Sequence, residues 1–221
     1  MAGVVKKKPV KSKRAPLSGE RIARAALALI DGKGLDGLSF RILARKLGCE
    51  AMSIYHYFPS KSHLLDAMVV ICINEFRFPP EGMHWLERLR AVSMELRAMA
   101  TRHPGFFLYF VTYRMNSREG LTLINAFIRI LEETGLDAET RARHFRCLGY
   151  YIQGAGIDEA LGYAKGPSAV DPVPDDIAKR DFPAVAAIGS YFKPAYHQST
   201  FEFGLDIYLR QIAGDAARVS R

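Results

Sequence analysis

The chain has 221 residues, of which 49% are apolar, 24% charged and 11% aromatic; this excludes a disordered or fibrous chain and suffices for one or two domains with a sizeable core. No run of about 18 uncharged apolar residues occurs, so no transmembrane helix is expected, and the basic N-terminus has no apolar stretch to serve as a secretory signal. The formal charge of +8 is confined to the first third, where residues 1–78 carry 14 Lys and Arg against 6 Asp and Glu, whereas residues 79–221 carry 17 of each.

Residues 1–16 hold Lys6, Lys7, Lys8, Lys11, Lys13 and Arg14 with Gly3, Pro9 and Pro16 and no periodicity, the composition of a basic flexible arm. From Ser18, a suitable N-cap, Ile22, Ala25, Ala26, Leu29 and Ile30 recur at helical spacing. The glycine-rich residues 31–37 stop that helix. Ser39 offers a second cap, and Phe40, Leu43, Ala44 and Leu47 follow at i, i+3, i+4 and i+7, with Gly48 placed for a left-handed end. A third short helix runs from about Glu50 or Ala51 to Phe58, because Pro59 ends it. Ser60 caps a fourth, which carries Leu64, Leu65, Met68, Val69 and Cys72.

Pro79, Pro80 and Gly82 mark a domain boundary, dividing the chain into an arm over 1–16, a first domain over 17–78 and a second over 79–221. Beyond the boundary no alternating strand pattern is found. Amphipathic segments cover roughly 84–102, 105–115, 118–134, 138–164, 183–193 and 199–213. Residues 165–182, rich in Pro and Asp, read as a loop. The fold class is all-α, in two parts.

Two short helices joined by a glycine turn make a helix-turn-helix pattern. The second helix of such a motif must be polar on one side to enter a major groove and anchored by few core residues on the other. At about 100° per residue, Ile54 and Phe58 share one arc and face the core. Met52, Ser53 and His56 project from the opposite arc, with Tyr55 and Tyr57 on the flanks. None of these five is acidic, as a phosphate-lined groove requires. Ser53 and His56 can bond base edges or phosphates, Met52 can meet a thymine methyl, and the tyrosine hydroxyls can reach phosphates. Arg41 spans to a phosphate or a guanine, and Lys61 adds charge beside backbone N–H groups that favour an anion. Charge alone leaves a nucleic-acid-facing end and a merely solubilising tail both open; the caps and the turn glycine favour the former.

The run from Ser18 to Met68, above all GLDGLSFRILARKLG followed by SIYHYFPSKSHLLDAM, resembles the DNA-binding domain of TetR-type transcriptional regulators. Gly34, Ser39, Ala44, Leu47, Gly48, Tyr55, Phe58, Lys61, Leu64 and Leu65 carry the likeness. FEFGLDIYLRQI, from Phe201 to Ile212, resembles the last helix of the tetracycline-repressor subgroup. The resemblance implies a homodimer with two N-terminal reading heads and an all-helical, ligand-sensing body, with repression released by ligand as the family default. By the family's pattern, Ser39, Arg41, Ala51, Met52, Ser53, Tyr55, His56, Tyr57 and Lys61 occupy positions that touch double-stranded DNA. Ala51 and Met52 differ from the polar pair of the tetracycline repressor itself, so its operator sequence does not carry over. The subgroup's metal-binding His would fall near residues 109–111, where Tyr109, Phe110 and Val111 supply no ligand. Neither tetracycline with magnesium, nor another metal, nor a cofactor is expected.

Of the 24 aromatic residues, 18 lie in the neutral second part, where they serve either as core or as the wall of a small-molecule cavity with few polar groups. As a set they favour a cavity for a hydrophobic or aromatic effector, with Phe106, Phe110, Tyr113, Phe127, Tyr150 and Gln153 as the candidate contacts. Phe201, Leu205, Tyr208, Leu209 and Ile212 form one stripe of the last helix and Phe203 and Ile207 another, as in a helix buried on two sides. Gly149, Gly154, Ala155, Gly156 and Ala160 let the helix over 138–164 approach a neighbour closely, and the family pairs these two helices across a dimer.

Two other classes are weighed against this. An enzyme is not expected: the six histidines show no HExxH spacing, and no GxSxG or phosphate-binding loop occurs. An effector-independent DNA-binding protein, or an activator, is the second alternative. Cys49, Cys72 and Cys147, odd in number and far apart, exclude a disulfide framework and fit a reducing cytoplasm.

Overall fold

The computed structural model describes residues 16–162 and 170–219. Nearly all of the expected arm, the end of the helix expected over 138–164 and the start of the loop expected over 165–182 lie outside those residues. The described part is all-α, with no strand.

The first four helices are α1 (Gly19–Lys33), α2 (Phe40–Leu47), α3 (Ala51–Tyr57) and α4 (Lys61–Glu75). Serine caps start three of them: the amides of Arg21, Ile42 and His63 donate to the hydroxyls of Ser18, Ser39 and Ser60, satisfying N–H groups that the helix leaves open. Gly48 ends α2 with φ 69° and ψ 40°, a left-handed conformation that glycine adopts without a Cβ penalty. Ile22, Ala26 and Ile30 of α1 interlock with Leu64, Met68 and Cys72 of α4, all fully buried or nearly so. Burial pushes the Cys72 thiol up to about 12, which makes it an inert core residue.

The remaining helices are α5 (Trp85–Arg102), α6 (Phe107–Thr112), α7 (Arg118–Glu132), α8 (Ala138–Leu161), α9 (Asp175–Asp181), α10 (Pro183–Ile188) and α11 (His197–Val219). Helices α5, α7, α8 and α11 pack around Leu89, Val92, Ile130, Leu148, Ile152, Leu205 and Leu209. A partly buried ion pair crosses that bundle, Arg97 of α5 donating to both oxygens of Glu159 on α8 at 2.9 and 3.0 Å.

Two stretches differ from the sequence expectation. Residues 175–181, read as loop, form α9, which buries no residue. Its pattern is written in charge: Asp175 and Asp176 occupy the first turn and Lys179 and Arg180 the last, complementing the helix dipole without an apolar stripe. The last helix also runs on past residue 213 to Val219, because Ala216 is buried and Asp215 bonds Gln211, Arg218 and His144.

The first four helices meet the rest at the loop His103–Gly105. A Cβ on Gly105 would lie 2.1 Å from the carbonyl oxygen of Ile30 and 2.9 Å from the Asp31 Cα, so only glycine lets this loop rest on the end of α1. Beside it His103 bridges the two segments, with Nδ1 2.8 Å from Asp31 of α1 and Nε2 2.8 Å from Glu75 of α4. Arg24 also binds Glu75, at 3.0 Å.

Candidate nucleic-acid interface

Helix α3 has seven residues and a single buried one, Ile54; Phe58, just past its end, is the second anchor. With Ile54 wholly inaccessible, the opposite arc is turned to solvent. Met52 is 73% exposed, and Tyr55, His56 and Tyr57 are exposed as well. Ser53 and Ala51 are half-buried. Tyr55 lies against Phe40 of α2, with ring centroids 4.6 Å apart, which fixes the angle between the two helices while leaving its outer edge accessible. Arg41 and Ser39 are exposed at the start of α2, and Ser39 is engaged as the cap of that helix.

Two of the nine residues have a duty that the sequence did not reveal. The Tyr57 hydroxyl donates to the Leu17 carbonyl at 2.9 Å. That bond ties α3 to the start of α1. Lys61 donates to the Leu35 carbonyl at 3.3 Å, pinning α4 to the turn before α2; an ammonium has three protons, so two stay available. The outward edge is thus Met52, Ser53 and His56, flanked by Tyr55, Arg41 and Lys61. It offers hydroxyl, imidazole and cationic donors and no carboxylate, which suits base edges and phosphates.

The second candidate site is a cavity of about 270 Å³ between α5, α6, α7 and α8. Phe110, Tyr113, Phe127, Tyr150 and Gln153 line it, as the sequence suggested. Phe106 does not: it is wholly buried and stacks on Tyr109 at 5.3 Å, a core residue one turn before the cavity wall. Leu123, Ile124, Phe145 and Arg146 complete much of the lining. Burial raises the Tyr113 phenol above its ordinary range, and the nearby Asp66 carboxylate of α4 adds to the rise.

On the far side of the body, Phe203 and Ile207 of α11 are exposed, while Phe201, Leu205, Leu209 and Ile212 fill the core. Gly154 of α8 has open space over it. Gly156 lets α8 approach a neighbouring helix closely, as expected, by admitting the Phe107 ring of α6, which a Cβ would meet at 2.6 Å.

Comparison with known proteins bears on both parts. Residues 22–68 match the family described as bacterial regulatory proteins, tetR family, and residues 78–214 match the tetracyclin repressor-like C-terminal domain. The HTH-type transcriptional repressor DrrR1 of Streptomyces coeruleorubidus is 34% identical over 104 residues, which is 44% of this chain and 37% of that protein. This chain thus spans little more than a third of the length of that relative. The class D tetracycline repressor protein of Escherichia coli is 27% identical over 148 residues, covering 66% of this chain and 67% of the repressor. Among solved structures, the Streptomyces coelicolor TetR family protein ActR in complex with (S)-DNPA superposes with a TM-score of 0.68 at 24% identity, over 91% of this chain and 100% of that one.

Proposed function

Because the chain belongs to the TetR family of DNA-binding transcriptional regulators, we propose that it is a repressor that binds a palindromic operator as a homodimer and is released by a small hydrophobic or aromatic effector. The observation that carries this reading is the presence in one chain of α3, held by Ile54 with Met52 turned to solvent, and of an apolar cavity walled by Phe110, Tyr113 and Phe127. An effector that fits only one arrangement of that wall shifts the heads; one that fits both equally shifts nothing. The exposed Phe203 and Ile207 supply an apolar face for a second copy, and the two-fold axis of that dimer sets the half-site spacing. The tetracycline repressors and DrrR1 carry the word repressor in their names, which supports the sign of regulation.

The reading includes no catalytic step and a cytoplasmic location; among the described residues no helix is long and apolar enough to cross a membrane. Selecting duplexes from random DNA with the purified chain, then screening compounds for release, examines it as a whole. Two-fold-related half-sites and at least one releasing compound are expected. Equal affinity for every duplex, unaltered by any compound, would favour the effector-independent alternative. Turnover of a releasing compound, abolished by one substitution in the body, would make the chain an enzyme.

A further inference from the structure

We infer that the compound received by the body cavity is an aromatic anion, of the carboxylate or sulfonate class, and that Arg146 is its counter-ion. This rests on the reading of the cavity as the effector site. Among the described residues Arg146 is the one charged residue in the lining, which contains no Asp or Glu. Its guanidinium donates to the Tyr150 hydroxyl, from Nε at 3.1 Å and from an Nη at 2.5 Å, and lies 4.9 Å from the centre of that ring. That partner is neutral and, like Arg146, exposed and part of the cavity wall.

Three other body arginines are matched with carboxylates on a neighbouring element, Arg88 with Glu133, Arg97 with Glu159 and Arg141 with Glu132. Arg146 has no carboxylate within ion-pair distance among the described residues. Its own helix cannot supply one, because the positions three and four residues away are Ala142, Arg143, Gly149 and Tyr150. A guanidinium offers a planar fork of donors suited to a two-oxygen anion, and here that fork stands beside walls built from Phe110, Phe127 and Phe145. A ring seated among those phenylalanines and bearing an acidic group at the Arg146 end satisfies both features, the anion taking over the donors now spent on Tyr150.

A pair of fluorescent dyes that share one skeleton separates charge from shape. Anilinonaphthalene sulfonate carries a permanent anion, and phenylnaphthylamine is the same framework without it. The wild-type chain is expected to bind the sulfonate more tightly. Arg146→Gln should weaken sulfonate binding about tenfold, the loss of one charge-assisted contact open to solvent, and leave phenylnaphthylamine within twofold. Arg146→Lys should keep most of the preference. An unchanged unfolding transition serves as the control for folding, since a partly unfolded variant would expose apolar surface that binds such dyes. Ile124→Trp, which fills the cavity, should exclude both. Sulfonate binding that is indifferent to Arg146→Gln, with both dyes still excluded by Ile124→Trp, overturns the counter-ion and leaves the cavity reading intact. If neither dye binds the wild type, or Ile124→Trp excludes neither, the cavity reading falls and the inference with it.

Discussion

Replacing His103 with Gln isolates the device that joins the DNA-reading helices to the body. In the folded chain the imidazole lies between two carboxylates, 2.8 Å from each, with its side chain only 12% exposed. The hydrogen bond to Asp31 raises its pKa most; burial opposes the rise and Glu75 adds to it. A histidine raised in the folded state contributes stability that is complete below its unfolded pKa of about 6.5 and disappears as pH climbs through the folded value. On the acid side, burial pushes Glu75 up, but hydrogen bonds from His103 and Arg24 outweigh it and hold the carboxyl below its ordinary range. The Glu75 contribution is therefore present above about pH 4.3 and lost as pH falls through its folded pKa.

A neutral imidazole has one N–H, so deprotonation leaves one carboxylate facing a lone pair and removes a charge-assisted bond of about 1.5–3 kcal/mol. Partial exposure of Glu75 puts the loss near the middle of that range, about 2 kcal/mol. In a chain of this size that is roughly 4–8 °C in Tm. Urea unfolding of wild type and His103→Gln, measured from about pH 5 to pH 9, should show the wild-type advantage shrinking by that amount across the upper half of the range. Gln does not titrate, and the other histidines are common to both proteins. Two curves running parallel from end to end would refute the bridge.

Three further outcomes follow from the geometry. Gly105→Ala drives a Cβ to 2.1 Å from the Ile30 carbonyl oxygen, so unfolding experiments should show a loss of about 1–3 kcal/mol or more; wild-type stability would mean that the loop has room to lift. Tyr57→Phe removes the bond to the Leu17 carbonyl and should cost about 0.5–1.5 kcal/mol of stability while leaving base preference in a binding-site selection unchanged. Neutralising Lys6, Lys7 and Lys8 should weaken all duplexes alike and flatten the salt dependence of binding by about 0.9 per lost phosphate contact; an unaltered slope would take the arm off the DNA.

Helical spacing and capping chemistry made α1 to α4 legible in the sequence to within a residue or two, because each of those helices buries residues on one side only and starts or stops at a Ser, Gly or Pro. Helix α9 was hidden for the opposite reason: with no buried residue it leaves no apolar period. In the recognition segment the anchors Ile54 and Phe58 were readable, but the Tyr57 hydroxyl was not, since its acceptor is a main-chain carbonyl 40 residues earlier. In the body, Phe106 and Phe110 have equal claims by composition; only the packing of α6 shows that one is core and the other wall. Arg146 escaped notice because an arginine on an amphipathic helix reads as surface charge until the cavity beside it is seen.

The account depends most directly on the edge of α3, and base preference measures that edge. Binding-site selection with wild type and with Met52→Ala, Ser53→Ala and His56→Ala should give one two-fold-related operator. At least one variant should lose discrimination at a single base pair, repeated symmetrically in both half-sites, by about 1–3 kcal/mol. Variants that all choose the same sequence as wild type with the same affinity would show that this edge does not read DNA.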